Sequence, residues 1–402
     1  MSTALTASWP PSLQVLLGPP AADVWEPVLA PRSGRLLGLR ASTVSLRADG
    51  SATVRYTAEV GWADGRTTRE SLAAVTGSRI PPGAAVVEGQ VGEDGATVTV
   101  GLWRWPDDPA LPGLSWAASA ARTAQRLATL GVGTGPVRLR LRAYRPGRRA
   151  VVEVSGATGR WFLKVVRPAH AGALAARHAA LSPAVPVPPV LAATDDGVLV
   201  LPALEGTPMR AALRDDPAAV PRPAELERLL DALPVVRGDR RAPADPVTRA
   251  RSYATVVGLT RPALVPRLDR LVAAVEEAVR PQPVVAVHGD FYESQLLVDA
   301  GRVVGLLDVD TAGPGARIDD WATLLGHLAL LEQLGATPAP VTAYRRRVEA
   351  HLAGRWPAGE LRTRVAGVLI GLATGPFRVQ QPGWVEATEA RVGLAEEWAG
   401  PA

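Results

Sequence analysis

The 402-residue sequence contains no cysteine, which excludes disulfide frameworks, thiolate nucleophiles and thiolate metal sites. Histidine is scarce as well. The five present, His170, His178, His288, His327 and His351, form no HExxH or other short pair of the kind that holds zinc. No apolar run reaches the roughly 20 residues that cross a bilayer. The first basic residue after Met1 is Arg32, so the N-terminus lacks the charged region of a secretory signal. A soluble cytoplasmic protein with no membrane partner is the expectation. The formal charge of +5 comes from arginine spread along the whole chain, without a basic block or interleaved aromatics, and nucleic acid is not an expected partner.

Lysine is almost missing too. Of 44 basic residues, Lys164 is the single lysine, inside the strand-like run RWFLKVVR. Arginine is a broad planar fork, whereas lysine is a compact charge on a slim stem, so a tight phosphate site requires the second. Lys164 is therefore the first candidate for chemistry. With 47% hydrophobic and 21% charged residues, the chain has ordinary globular composition and a length that fits two or three domains.

Residues 36–76 alternate strand-like runs with Asp49-Gly50 and Asp64-Gly65 steps, a hairpin pattern, and residues 96–105 read as another strand. Residues 115–130 space their apolar side chains at helical intervals, with Ser115 as the cap and Gly131 as the stop. An α+β module thus runs to about residue 130. Beyond the break GVGTGP, period-two alternation predicts three consecutive antiparallel strands, the third carrying Lys164. Arg138, Arg140 and Arg142 share one face of the first, which reads as a solvated face. A helix over 171–181 ends at a proline run, and VLVLPALEG reads as a buried strand. From residue 222 the pattern is mainly helical, with candidates at 222–235, 245–258, 262–280, 318–334, 338–354, 359–374 and 384–398.

One non-helical island, residues 284–315, interrupts the helices. Two apolar runs, VVAV and QLLV, enclose the polar elbow HGDFYES, and a hairpin returns as RVVGLLDVD. Carboxylates at the ends of short buried strands are costly without a cation or hydrogen bonds. Asp290, Asp308 and Asp310 are three such groups within 21 residues. Oxygen donors of this kind suit Mg²⁺, which takes one or two carboxylates together with substrate phosphates. With Lys164 on the α- and β-phosphates, Asp308 on the metal, Gln295 as an amide ligand and Asp290 receiving a hydroxyl proton, the set has the parts of a phosphoryl-transfer site.

HGDFYESQ, GLLDVD and IDDWA together resemble the aminoglycoside phosphotransferase (choline kinase-like) family over roughly residues 137–400. The resemblance implies an α+β, protein-kinase-like two-lobed fold: an antiparallel β N-lobe and a mainly helical C-lobe, preceded here by an N-terminal α+β cap. The implied divisions are 1–133 for the cap, 134–206 for the N-lobe with its hinge, and 207–402 for the C-lobe. It also implies ATP and Mg²⁺ as cofactors and a small molecule bearing a hydroxyl as acceptor, a sugar or aminosugar first and an aminoglycoside or amino alcohol second. In the family's pattern Asp290 takes the base position, Asp308 binds magnesium, His288 and Asp320 brace the loop, and the backbone of Pro202 to Leu204 meets adenine. RPGRRA, residues 145–150, takes the place of the phosphate-covering loop. It holds one glycine, Gly147, which leaves phosphate enclosure to Arg145, Arg148 or Arg149, with Arg148 the expected nucleotide contact.

Gln295 stands where the family has asparagine, as in maltokinase-like members, which also carry an added N-terminal cap. The helix after Lys164 lacks the family's glutamate partner, so Lys164 either finds another carboxylate, with Asp308 as a candidate, or is held by nucleotide alone. Asp310 is open between ligand and support. Tyr292, Glu293 and Trp384, with Glu386 beside it, are candidates for the acceptor pocket. The alternative reading is a catalytically weak nucleotide-binding protein, prompted by that missing glutamate; retention of Lys164, Asp290 and Asp308 together speaks against it. A protein kinase fits less well, since HGD replaces HRD and neither DFG nor APE is present.

Overall fold

The computed structural model describes residues 8–78, 80–91, 95–235, 245–335, 338–357 and 359–400. Two short helices, α1 (Pro11–Leu17) and α2 (Glu26–Leu29), precede strands β1 (Gly34–Leu46), β2 (Ala52–Trp62), β3 (Thr67–Thr76), β4 (Ala85–Val91) and β5 (Ala96–Arg104). The strands form one antiparallel sheet in the order β1-β2-β3-β5-β4. Both expected hairpins are present, with Leu46 opposite Ala52 and Gly61 opposite Thr67. Gly50 and Gly65 turn them at φ of 77° and 82°, conformations that a side chain would strain. Alternation along β2 buries Val54, Tyr56, Ala58 and Val60 in a cluster with Trp9, Leu13, Leu16 and Trp25.

Residues 115–130 do not form a single helix. They divide into α3 (Leu114–Ala117) and α4 (Ala120–Thr129), because Ser119 between them is extended at φ −119° and ψ 119°. Ser115 therefore lies inside α3 and caps nothing. Placed with the first module by sequence pattern, this pair packs on the second sheet instead: Leu114, Trp116, Ala117 and Leu127 share a cluster with Val152, Val154, Trp161, Leu163 and Val165.

That second sheet is antiparallel, in the order β6-β7-β8-β10-β9. Its strands are β6 (Val137–Arg145), β7 (Arg149–Gly156), β8 (Gly159–Val166), β9 (Ala192–Ala193) and β10 (Val198–Pro202), with helix α5 (Pro168–Leu181) between β8 and β9. Arg138, Arg140 and Arg142 of β6 are exposed, as a solvated face requires. Lys164 lies at the centre of the sheet, opposite Val151 on one side and Leu199 on the other.

After the short β11 (Thr207–Pro208), the chain is mainly helical: α6 (Met209–Asp215), α7 (Pro223–Asp231), α8 (Pro246–Thr260) and α9 (Val265–Ala278) come before the island. Asp245 caps α8 by accepting from the N–H groups of Val247 and Thr248. After the island come α10 (Arg317–Gln333), α11 (Pro338–Leu352), α12 (Glu360–Ala373), α13 (Gly375–Arg378) and α14 (Trp384–Ala399). Leu268, Val275, Leu324, Leu328, Leu369, Ile370 and Val392 are fully buried between these helices. The island consists of β12 (Val284–Val287) paired with β15 (Gly313–Ala316), and the hairpin β13 (Leu296–Asp299) with β14 (Arg302–Leu306). Among the described residues, no helix is long and apolar enough to cross a membrane.

Candidate active site

The elbow after β12 is held from beneath by a buried carboxylate. Asp320, near the start of α10 and 1% exposed, accepts from the N–H groups of His288 at 2.9 Å and Gly289 at 2.8 Å. Burial raises its carboxyl pKa, and these donors with the nearby Arg317 act against that rise. His288 is fully buried. Its Nε2 faces the Leu307 carbonyl at 2.9 Å, so that nitrogen carries the proton and donates, while Nδ1 accepts from the Asp290 N–H at 3.3 Å. Thr311 closes the elbow by donating its hydroxyl to the His288 carbonyl at 3.0 Å. Gly289 has φ of 78°, and a Cβ there would meet the Thr311 carbonyl oxygen at 2.7 Å, so glycine is required. The brace expected of His288 and Asp320 is thus present.

The elbow and the β13–β14 hairpin bring the acids together. Gln295, nearly buried at the start of β13, accepts from the Leu307 N–H at 2.8 Å through its backbone carbonyl, which sets it beside Asp308. Asp308 adopts the left-handed conformation (φ 53°) at the end of β14. Its carboxylate receives two bonds of 3.0 Å from the Arg149 guanidinium, and Lys164 Nζ lies 3.2 Å away. Asp310 shares both cations: Arg149 donates to it at 2.7 Å, and Lys164 contacts its other oxygen. Burial favours the neutral form of Asp308, but the charges of Lys164 and Arg149 outweigh it and hold the carboxyl well below the usual carboxylate range. Burial likewise disfavours the charged Arg149, and the two acids more than restore it. Asp290, half-buried nearby, shifts the other way. Burial pushes its carboxyl up, and Asp308 adds to that against the opposing charges of Arg149 and Arg145. Two carboxylates of opposite tendency therefore lie in one charged cluster.

Lys164 has no glutamate partner on α5, as the sequence indicates, and Asp308 and Asp310 serve instead. Helix α5 turns His178 inward. Its Nδ1 donates to the Pro188 carbonyl at 2.8 Å, which leaves Nε2 buried without a hydrogen bond, and burial lowers the ring's pKa. The sequence offers Arg145, Arg148 and Arg149 for the phosphates, with Arg148 the expected contact. Arg148 is exposed at the tip of the β6–β7 turn, whereas Arg149, the first residue of β7, reaches the acids. Among the hinge residues, Ala203 donates its N–H to the Arg160 carbonyl at 3.0 Å, and Leu204 extends toward Gly305 of β14.

Two residues after Asp290, Tyr292 stacks on His327 of α10, with ring centroids 3.9 Å apart and planes 18° from parallel. Burial, with Arg210 and Arg378 nearby, lowers the His327 pKa to about 4, so the ring is neutral at physiological pH. Burial, with Asp290 and Glu293 adding to it, pushes the Tyr292 phenol up to about 12. Glu293 is 1% exposed; Oε1 accepts from Ser294 at 3.0 Å, Oε2 has no hydrogen bond, and burial raises its pKa. Trp384 is not gathered into this group. It is 6% exposed, packed edge-on to Phe377 at 4.9 Å within the cluster of the N-terminal sheet.

The sequence profile of the phosphotransferase enzyme family matches residues 140–364, more than half of the chain. Aminoglycoside phosphotransferase APH(4)-Ia, solved as a thermostable mutant in ternary complex with AMP-PNP and hygromycin B, is 15% identical, with a TM-score of 0.50 over 70% of this chain and 98% of that one. Macrolide 2'-phosphotransferase MphH from Brachybacterium faecium, solved as the apoenzyme, is 22% identical, with a TM-score of 0.44 over 67% of this chain and 97% of that one. No curated protein matches the sequence significantly. The α+β, protein-kinase-like two-lobed fold is shared.

Proposed function

The chain belongs to the phosphotransferase enzyme family, and from that premise we propose that it transfers the γ-phosphoryl group of ATP to a hydroxyl of a small sugar or aminosugar. The observation that carries this reading is the convergence of Lys164, Asp308 and Asp290, from two lobes and more than 120 residues of sequence, in one charged cluster. Family membership makes the protein a phosphotransferase acting on hydroxyl groups; the acceptor class and the residue roles are our assignment.

In this assignment the acceptor oxygen attacks the γ-phosphorus, the bond to the β,γ-bridging oxygen breaks, and ADP leaves with that electron pair. Asp290 takes the acceptor's proton, and its raised pKa makes it a better base than an ordinary carboxylate. Lys164 holds the α- and β-phosphates. The Asp308 carboxylate and the Gln295 amide oxygen fit Mg²⁺, since both are hard oxygen donors and the neighbouring cations favour the ionised form of Asp308. Bound there, the ion supplies charge to offset the negative phosphates. Arg149 now occupies Asp308 with two hydrogen bonds. For Asp308 to serve a metal, Arg149 must release it, and the nucleotide phosphates are the natural acceptors for the freed guanidinium. The committed N–H of Ala203 leaves Leu204 as the hinge residue for adenine. Tyr292, which lies near Asp290 and stacks on neutral His327, and the adjacent Glu293 are assigned to the acceptor.

We also assign a three-part organisation of cap, N-lobe and C-lobe, with the first boundary near residue 105, because α3 and α4 pack on the second sheet. The test is phosphate transfer from Mg·ATP across a panel of sugars, aminosugars and amino alcohols. No turnover and no Mg·ATP-dependent thermal shift on the whole panel would remove the reading.

A further inference from the structure

The turn that delivers Arg149 to the acids is held by a residue from the N-terminal part of the chain. Asp108, in the segment after β5, is 3% exposed. Its Oδ2 accepts from the Gly147 N–H at 2.7 Å and from the Tyr144 hydroxyl at 2.9 Å, and its Oδ1 accepts from the Ala110 N–H at 3.0 Å. Tyr144 in turn accepts from Trp103 Nε1 of β5 at 2.9 Å, and its ring packs edge-on to Trp105 at 4.6 Å. The opposite side of the turn is held as well, by Arg167 donating to the Gly147 carbonyl at 2.7 Å.

Gly147 therefore has both its backbone groups committed, one to Asp108 and one to Arg167. It is buried, with φ of 67°. Burial raises the Asp108 carboxyl pKa in spite of three donors and the Arg167 charge, so this carboxylate is kept in a costly place. A turn with one glycine and no side-chain contacts of this kind would be free to move. Here it is fixed two residues before Arg149.

The same N-terminal sheet also reaches the helical lobe. Phe377 of α13 and Trp384 of α14 are part of its apolar cluster, with Trp9 edge-on to Phe377 at 5.7 Å. The sheet thus touches both lobes, through Trp103 of β5 on Tyr144 and through its apolar cluster on Phe377.

We propose that Asp108 is a positioning residue of the nucleotide site, fixing the β6–β7 turn through Gly147 so that Arg149 meets the phosphates, and that the N-terminal sheet supports this turn through Trp103 and Tyr144. This rests on the phosphotransferase reading above.

The experiment compares full-length wild type, Asp108→Ala and Tyr144→Phe by calorimetric titration with Mg·ADP and, separately, with adenosine, which carries no phosphate. Asp108→Ala is expected to bind Mg·ADP about tenfold more weakly with adenosine binding unchanged, because only the phosphate end depends on the turn. Tyr144→Phe, which keeps the Gly147 bond, should fall between the two proteins. Unchanged Mg·ADP affinity in Asp108→Ala, or equal losses for both ligands, would overturn the proposal. If Asp108→Ala does not fold, Asp108→Ser, whose hydroxyl is too short to reach the Gly147 N–H, is judged by the same two affinities. Absence of Mg·ADP binding by wild type would instead sink the phosphotransferase reading itself.

Discussion

Lys164 and Asp308 lie 144 residues apart in sequence and 3.2 Å apart in space, with the lysine buried in the second sheet and the aspartate at the end of a hairpin in the helical lobe. Asp310 joins the pair from two residues on, and Arg149 closes the group, so two acids and two cations balance between the lobes. An unpaired charge in such a place would be strongly destabilising.

Lys164→Arg keeps the charge and changes its shape. The site is already shared with Arg149, and a second planar fork has no room beside it. Turnover is expected to fall by about a hundredfold or more, with the far-ultraviolet circular dichroism unchanged. Near-normal kcat in the folded variant would return Lys164 to a compositional accident.

Arg149→Gln removes the cation that holds Asp308 through two bonds. Mn²⁺ binding in the absence of nucleotide, followed by electron paramagnetic resonance, should strengthen, because Asp308 no longer has to release a guanidinium. The KM for ATP should rise in the same protein, by about tenfold, as a phosphate contact is lost. Weaker Mn²⁺ binding than wild type would contradict the exchange of partners.

Asp290→Asn should abolish transfer while Mg·ADP still binds. In wild type, kcat/KM should fall on the acid side as Asp290 takes up a proton. Since burial raises that pKa, the fall should lie at higher pH than for an ordinary carboxylate. An acid limb at or below the usual carboxylate range would count against Asp290 as the base.

His327 gives the protein a stability that depends on pH. The folded ring takes a proton only near about 4, while in the unfolded chain it does so near 6.5. Below 6.5 the unfolded state therefore binds more protons, and this contribution to stability falls as pH drops toward 4. Urea midpoints measured across that window should fall less steeply in His327→Gln than in wild type; identical slopes would rule the contribution out.

Asp320→Ala leaves the N–H groups of His288 and Gly289 buried without an acceptor. Each costs about 1–3 kcal/mol, so the melting temperature should drop by several degrees and activity should be lost with the loop. A variant as stable as wild type would show that the elbow holds its shape without this brace.

Much of the fold was legible because its periodicities are strong. The seven helices expected beyond residue 222 all occur within a few residues of their expected ends, and both Asp-Gly hairpins are where their turn chemistry puts them. The elements that escaped have physical reasons. Strand β4 is short and largely exposed, and α1 has only seven residues, too few to display a period. The break at Ser119 left no sequence mark, because neither glycine nor proline causes it. At the site, Arg148 and Arg149 are indistinguishable as letters; one step along a strand start decides which of them faces the acids. Trp384 was a candidate for the pocket by its loop position, yet its partner is Phe377 in the core of the N-terminal sheet, a contact that no local pattern encodes.

The sequence by itself determined the chemical inventory: no thiol, one lysine, an HGD elbow followed by an amide and two further acids, and the order of strands and helices that carries them. Those are local properties, set by residue type, turn geometry and hydrophobic period over a dozen residues at a time. Tertiary structure alone decided the partners. Lys164 found Asp308 and Asp310 where the family has a glutamate, Arg149 rather than Arg148 reached them, and Asp108 came to hold the turn between. Such pairings depend on how two sheets and a helical lobe pack, and buried charges accept only the arrangement in which every one of them is compensated.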